Sequence, residues 1–264
     1  DVDTEASRAA VGLIRMRAPA GVVRPERLDL ASLASIEAFA GRLLNAGRPL
    51  DLLINNAGLM ALPRRETTVD GFEMQFGVNF LGHFALTARL LSLLRCSRLT
   101  RVVNVSSVFS QRGSIDLGDI QLAKRYRPWS AYAQSSLAMV IFAIELQRHS
   151  DARTWRLQSN VVHPGYARTN LFVSGPGKLS MANLIHQTAG RLLSQTAAQG
   201  ALPLLFAGTA PKAHIGSYYC PRGPFELLGL PGEAELSANA VDPKLGCELW
   251  ETATNLTGVS WPEN

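Results

Sequence analysis

Apolar residues recur along this chain at two alternating periods. Residues 3–16 carry them at helical spacing until Pro19 and Gly21 break the run, and the same spacing returns over 33–45, 72–94, 195–206 and 243–256. Between these lie shorter apolar runs at 22–28, 51–54, 102–105, 157–162 and 214–219, which predict strands. The run 102–105 organises the rest, because it ends at the hydroxyls of Ser106 and Ser107. After a polar, glycine-bearing segment the chain re-enters a long helical pattern at Tyr132, with Ala138, Ile141, Phe142 and Glu145 recurring along it. A serine at the carboxyl end of a parallel strand and a tyrosine on the first turn of the next helix converge on one crevice, where open α/β sheets bind ligands. The alternation predicts an α/β fold: a doubly wound parallel sheet with helices on both faces.

A length of 264 residues with 47% hydrophobic content suits one globular domain with a sizeable core. The formal charge of +5 is scattered among acids, without a basic run, so a solvated surface is expected and nucleic-acid binding is not. Cys96, Cys220 and Cys247 have no ligand spacing between them; they suit a reducing compartment, and a cytoplasmic location is expected. His83 likewise has no ligand partner at metal spacing, so no metal site is expected. Apolar runs stay short of the roughly 18 residues that span a bilayer, so no membrane segment is expected. The glycines of Gly175-Pro176-Gly177-Lys178 follow no strand and carry no phosphate-loop reading, and the absence of a Gly-x-Ser-x-Gly elbow disfavours a serine hydrolase.

Five motifs appear in order: Asn55-Asn56-Ala57-Gly58, Val78-Asn79-Phe80-Leu81-Gly82-His83-Phe84, Val103-Asn104-Val105-Ser106-Ser107, Tyr132-Ala133-Gln134-Ser135 and His163-Pro164-Gly165. In this they resemble the short-chain dehydrogenase/reductases, and more narrowly their retinol-dehydrogenase-like branch, over residues 3–260. The resemblance implies a Rossmann-type domain and hydride transfer between NADP(H), with NAD(H) the alternative, and a small apolar alcohol, ketone or aldehyde. It implies Tyr132 as acid/base, Ser107 as the hydroxyl on the substrate oxygen, with Ser106 as the other candidate, and Asn79 as the residue that kinks its helix and holds a water on the proton path. For the cofactor it implies Asp29 and Leu30 against the adenine, and Asn56, Ala57 and Gly58 along the adenine ribose, with Asn56 also bracing the central strands. It further implies Tyr132, Pro164 and Gly165 at the nicotinamide end and Thr169 on its carboxamide or phosphate.

Local chemistry leaves other readings open. Asp29, or Ser32 beyond it, would cap the following helix; Asn55-Asn56-Ala57-Gly58 could be a turn, with Gly58 easing it; and the Phe76, Phe80, Phe84, Ala88 stripe is core or a packing face. The resemblance implies that this helix also pairs subunits, as a homodimer. Residues 61–71 read as a mobile polar loop, while 108–130, with Lys124-Arg125-Tyr126, and 171–193 read as substrate-side loops, the latter a lid.

Two departures from the family's pattern stand out. Its tyrosine is followed four residues later by lysine, and this chain has Ser136; its glycine-rich phosphate turn is missing from residues 1–264. A unit charge about 5 Å from the phenol is worth roughly 3 kcal/mol at effective dielectric ~20, or about two pKa units, so turnover about a hundredfold lower is expected. An N-terminally incomplete domain is expected as well, with 22–28 stranded away from its nearest neighbour strand. The other function class is a non-catalytic relative that binds a ligand or partner through the same crevice.

Overall fold

The computed structural model describes residues 2, 4–167 and 194–262. Helices α1 (Thr4–Arg17), α2 (Leu33–Ala46), α3 (Met74–Arg95), α4 (Pro128–Ala152), α5 (Leu202–Thr209) and α6 (Pro243–Thr257) alternate with strands β1 (Leu52–Asn55), β2 (Thr100–Val105), β3 (Leu157–Val162), β4 (Tyr218–Pro221) and β5 (Pro231–Ala234). The strands form one sheet in the order β1-β2-β3-β4-β5, parallel from β1 to β4 with β5 antiparallel at the edge. Val102 and Val103 are fully buried, as a central strand covered on both faces requires. On one side, Phe76, Phe80 and Phe84 of α3 meet Phe142 of α4 and Trp250 of α6 in an edge-packed aromatic core, with Phe84 and Trp250 centroids 5.1 Å apart.

Helix ends follow from their capping residues. Ser32 caps α2 by accepting the Ser35 N–H, and Gly47 closes it at φ 63°; Asp242 caps α6, and Gly258 ends it at φ 64°. Within α3 the turn Gly77–Leu81 is a π-helix. There a side chain at Gly77 would meet Thr68 Cγ2 at 2.6 Å, so Thr68 packs directly onto the helix backbone. One extra residue per turn rotates Asn79 relative to a regular helix, a device common at functional sites. By length and composition α3 is apolar enough to cross a membrane, yet 78% of its apolar window is buried inside this fold.

Several expectations are corrected. Residues 22–28 form no strand among the described residues; as expected, they have no neighbour to pair with, since β1 is the sheet edge on that side. The run 214–219 yields a strand only from Tyr218, and the antiparallel β5 was not anticipated. The helix expected over 195–206 is two pieces, Ala197–Gly200 and α5. The loop 61–71 is fastened: Ala61 N–H donates to Gln75 Oε1 at 2.7 Å, the Tyr126 hydroxyl donates to Leu62 O at 2.8 Å, and Arg65 Nε donates to Gln121 O at 3.0 Å. Thr169 and the 171–193 lid lie outside the described residues.

Candidate active site at the carboxyl ends of the strands

The segments that leave the carboxyl ends of β1, β2 and β3 come together at one end of the parallel sheet. Beyond β2, Ser106 and Ser107 divide their labour. The Ser106 hydroxyl is buried and donates to Ser136 O at 2.8 Å, whereas the half-buried Ser107 hydroxyl accepts the Phe109 N–H at 3.3 Å, capping a 3₁₀ turn, and faces the phenol of Tyr132. That turn ends at Gly113, where any Cβ would lie 2.5 Å from Ala133 O and 2.8 Å from Leu137 Cβ. Only glycine permits so close an approach, and it fixes the segment after Ser107 against the helix that carries Tyr132.

Tyr132 sits in the second turn of α4 rather than the first. Burial raises its phenol above the usual tyrosine value, while the Ser107 and Ser136 hydroxyls, both within hydrogen-bonding reach, pull it down. Among the described residues no cation contributes. The Ser136 hydroxyl also donates to Tyr132 O at 2.8 Å, bonding back one turn. Phe109 and Trp129 stack at 4.9 Å, and each ring stands edge-on to Tyr132, at 5.8 and 6.3 Å.

Asn79 is brought to the same end of the sheet, beside Ser135 of α4, where its amide is largely committed. Oδ1 accepts the Leu59 N–H at 2.7 Å, and Nδ2 donates to Leu59 O at 2.8 Å and Ser135 Oγ at 2.9 Å. It therefore holds the loop after β1. In that loop Asn56, Ala57 and Gly58 are exposed, and Gly58 needs no unusual φ; a Cβ there would instead lie 3.1 Å from Asn79 Oδ1. His83 fastens the loop from beneath. Its Nε2 lies 2.8 Å from Ala57 O, and burial lowers its pKa to about 4, so the neutral ring donates this proton.

The strand brace is Asn55, not Asn56. Buried Asn55 Nδ2 donates to Thr87 Oγ1 at 3.1 Å and Asn104 Oδ1 at 2.8 Å, and Asn104 Nδ2 continues to Ser159 Oγ at 3.2 Å. Strand pairing sets Asn55 opposite Asn104, so both amides point to one face while Asn56 lies beyond the ladder. Asparagines in two neighbouring apolar strands were the available signal.

Asp29 turns inward on its own segment: Oδ1 accepts the Ala31 N–H at 2.9 Å, and its N–H donates to Ser35 Oγ at 3.0 Å. Leu30 packs on α3, where a Cβ at Gly82 would lie 2.6 Å from Leu30 O. At the end of β3, Pro164 O accepts from Gln195 Nε2 at 2.7 Å, and Gly165 takes φ 67°.

His163, Cys220 and Glu226 gather with all ligand-type atoms within 4.8 Å. Gly165 N–H donates to His163 Nδ1 at 2.9 Å, which leaves the proton on Nε2, facing Glu226 Oε2 at 3.1 Å. Metal-bound imidazoles normally donate from their second nitrogen. Here that nitrogen accepts, so the donor set fits a hydrogen-bonded cluster. Neither His163 nor Glu226, 63 residues apart, carried a local signal for this pairing.

The family model described as short chain dehydrogenase matches residues 2–176. A polyprenol dehydrogenase of Mus musculus is 42% identical over 237 residues, covering 88% of this chain and 67% of that protein. Retinol dehydrogenase 14 of Homo sapiens is 36% identical over 238 residues, covering 88% and 66%. Among solved structures, an uncharacterised protein from Mycobacterium Paratuberculosis superposes with TM-score 0.76 at 37% identity, over 99% of this chain and 83% of that one. The NADP complex of RhlG from Pseudomonas aeruginosa, at 24% identity, TM-score 0.60, and 86% and 85% coverage, shares the fold.

Proposed function

The chain belongs to the short-chain dehydrogenase family of oxidoreductases, and from that premise we propose that it moves a hydride between NADP(H) and an apolar alcohol or its carbonyl partner, slowly, because Ser136 supplies no charge. The observation that carries the reading is the convergence of the Tyr132 phenol with the Ser107 hydroxyl while Ser106 is tied to backbone. The surroundings fit a dinucleotide: Asn56, Ala57 and Gly58 open to solvent after β1, and Pro164 and Gly165 form a pinned turn after β3. Bound there, the nicotinamide would supply or accept the hydride. Ser107 would donate a hydrogen bond to the substrate oxygen, and Tyr132 would pass it a proton or take one back.

Asp29 and Leu30 would bound the adenine side, and Thr169 the nicotinamide side. Asn79 acts by holding Leu59, with one acceptor lone pair of Oδ1 left for a water on the proton path. NADP(H) in preference to NAD(H) rests on likeness to the retinol-dehydrogenase branch. An isoprenoid-like substrate accords with the polyprenol and retinol relatives and with the Phe109, Trp129 and Tyr132 rings, two of them stacked.

Nucleotide titration by NADPH and NADH fluorescence, followed by turnover of a short prenol and of retinol, tests the proposal. We expect dinucleotide binding with NADPH the tighter, and turnover lost in Tyr132→Phe with binding retained. Absence of binding for both nucleotides would sink it. The hydroxyl at Ser136, directed at Tyr132 O, favours one second reading, a ligand-binding protein without catalysis. Nucleotide binding with no turnover in either direction would select that reading.

A further inference from the structure

Two consecutive residues, Phe225 and Glu226, adopt left-handed backbone angles, φ 55° and 57°. Non-glycine residues resist this region, and such outliers persist where surrounding structure holds them for a purpose. The Phe225 ring is 80% exposed, so its packing does not offset the strain. What the turn does achieve is the placement of the Glu226 carboxylate. Oε2 accepts from His163 Nε2 at 3.1 Å and from Gln111 Nε2 at 3.3 Å.

These two contacts reach segments that leave two neighbouring strands, β2 and β3. Gln111 lies in the 3₁₀ turn capped by Ser107, and His163, 1% exposed, precedes Pro164 and Gly165. The relay has a fixed direction: Gly165 N–H donates to Nδ1, Nε2–H donates to the carboxylate. The strained turn grips the same segment by its backbone, since Tyr166 N–H donates to Leu227 O at 2.8 Å and a Cβ at Gly165 would lie 2.5 Å from that oxygen.

We propose that Glu226 is a positioning residue which, through His163 and Gln111, holds the Pro164-Gly165 turn at a fixed distance from Ser107. The proposal rests on the hydride-transfer reading for its catalytic consequence, though not for the relay itself. With Glu226 in place the imidazole keeps one tautomer, and the Gly165 amide keeps its acceptor. Without it, the buried Nε2–H loses its acceptor, which weakens the hold of the Gly165 N–H on Nδ1 that fixes the tautomer, and the turn loosens relative to Ser107.

The full chain carrying Glu226→Ala or Glu226→Gln tests this by amide hydrogen exchange and by imidazole ¹⁵N chemical shifts. In Glu226→Ala, exchange of the 163–166 segment should quicken at least tenfold while β2 is unchanged in the same sample, and His163 should become a mixture of tautomers. Glu226→Gln, which still offers an amide oxygen to Nε2–H, should restore most of the protection. In turnover, kcat should fall about tenfold in Glu226→Ala with substrate KM little altered, and recover in Glu226→Gln. Unchanged exchange at 163–166 in Glu226→Ala, or a Glu226→Gln as damaged as Glu226→Ala, would overturn the proposal. Should the wild-type chain bind no dinucleotide, the hydride-transfer reading fails while the exchange and shift measurements still decide the relay.

Discussion

The Ser136 hydroxyl donates to the main-chain oxygen of Tyr132 at 2.8 Å while also standing within hydrogen-bonding reach of the Tyr132 phenol. A neutral hydroxyl stabilises phenolate far less than a cation would, and burial pushes the phenol upward. Ser136→Lys should therefore raise kcat by about ten- to a hundredfold and move the alkaline rise of the rate to lower pH, on the scale of ~2 pKa units that a nearby charge supplies. Ser136→Met, of similar length without charge, should not. Rate against pH for both variants checks the point, and equal rates for lysine and methionine would remove the electrostatic explanation.

Asn79 grips Leu59 from both sides, taking its N–H and donating to its oxygen. Asn79→Leu strands both backbone groups and removes the donor to the Ser135 hydroxyl oxygen. The expected loss is about 2–3 kcal/mol, from the lost bonds and the unsatisfied groups they leave. Urea denaturation should show a lower midpoint at unchanged slope. Dinucleotide affinity should fall too, if the loop 56–58 is the contact we assign. A variant as stable as wild type would mean that this amide holds nothing.

Tyr126 links two loops that are far apart in the chain. Its hydroxyl donates to Leu62 O at 2.8 Å and accepts from Gln75 Nε2 at 2.9 Å. Tyr126→Phe should cost about 1–2 kcal/mol and free both the 61–66 segment and the 120–126 segment. Limited proteolysis would read this as new cleavage in both segments together. Cleavage in only one would show that the two loops are not coupled through Tyr126.

How much of this was legible in the sequence depended on whether the cause was local. Apolar periodicity carried α2, α4 and α6 and the central strands β2 and β3, because each buries a face that its own residues define; it also marked α1 and β1, although α1 leaves Leu13, Ile14 and Met16 exposed and β1 lies at the sheet edge with Ile54 exposed. The meeting of Ser107 with Tyr132 was legible for a similar reason, since strand end and helix start fix both positions. Residues 22–28 have the composition of a strand but form none, and the reason was legible too, since the expected neighbour strands are missing from this sequence and a strand exists only with a neighbour. The brace was assigned to Asn56 and belongs to Asn55, because position along β1 matters more than motif membership. Glu226 and Tyr126 act across long sequence separations, where no pattern announces the partner.

His83 ties stability to pH. Burial holds its pKa near 4, below the unfolded value of about 6.5, and its neutral ring donates to Ala57 O. Between these values the unfolded chain binds a proton that the native chain refuses, so stability is full above about 6.5 and falls as pH drops towards 4. At ~1.4 kcal/mol per pH unit, this group alone removes about 3 kcal/mol across the window, and below it the loss levels off. His149, also lowered to about 4 by burial and by Arg153, adds loss over the same range. His83→Gln, whose amide can still donate to Ala57 O without titrating, should flatten the decline between pH 6.5 and 4 and leave only the remaining groups' share. Chemical denaturation at half-unit steps of pH measures the slope directly. A decline as steep in His83→Gln as in wild type would show that this imidazole is not the group whose protonation opposes the fold.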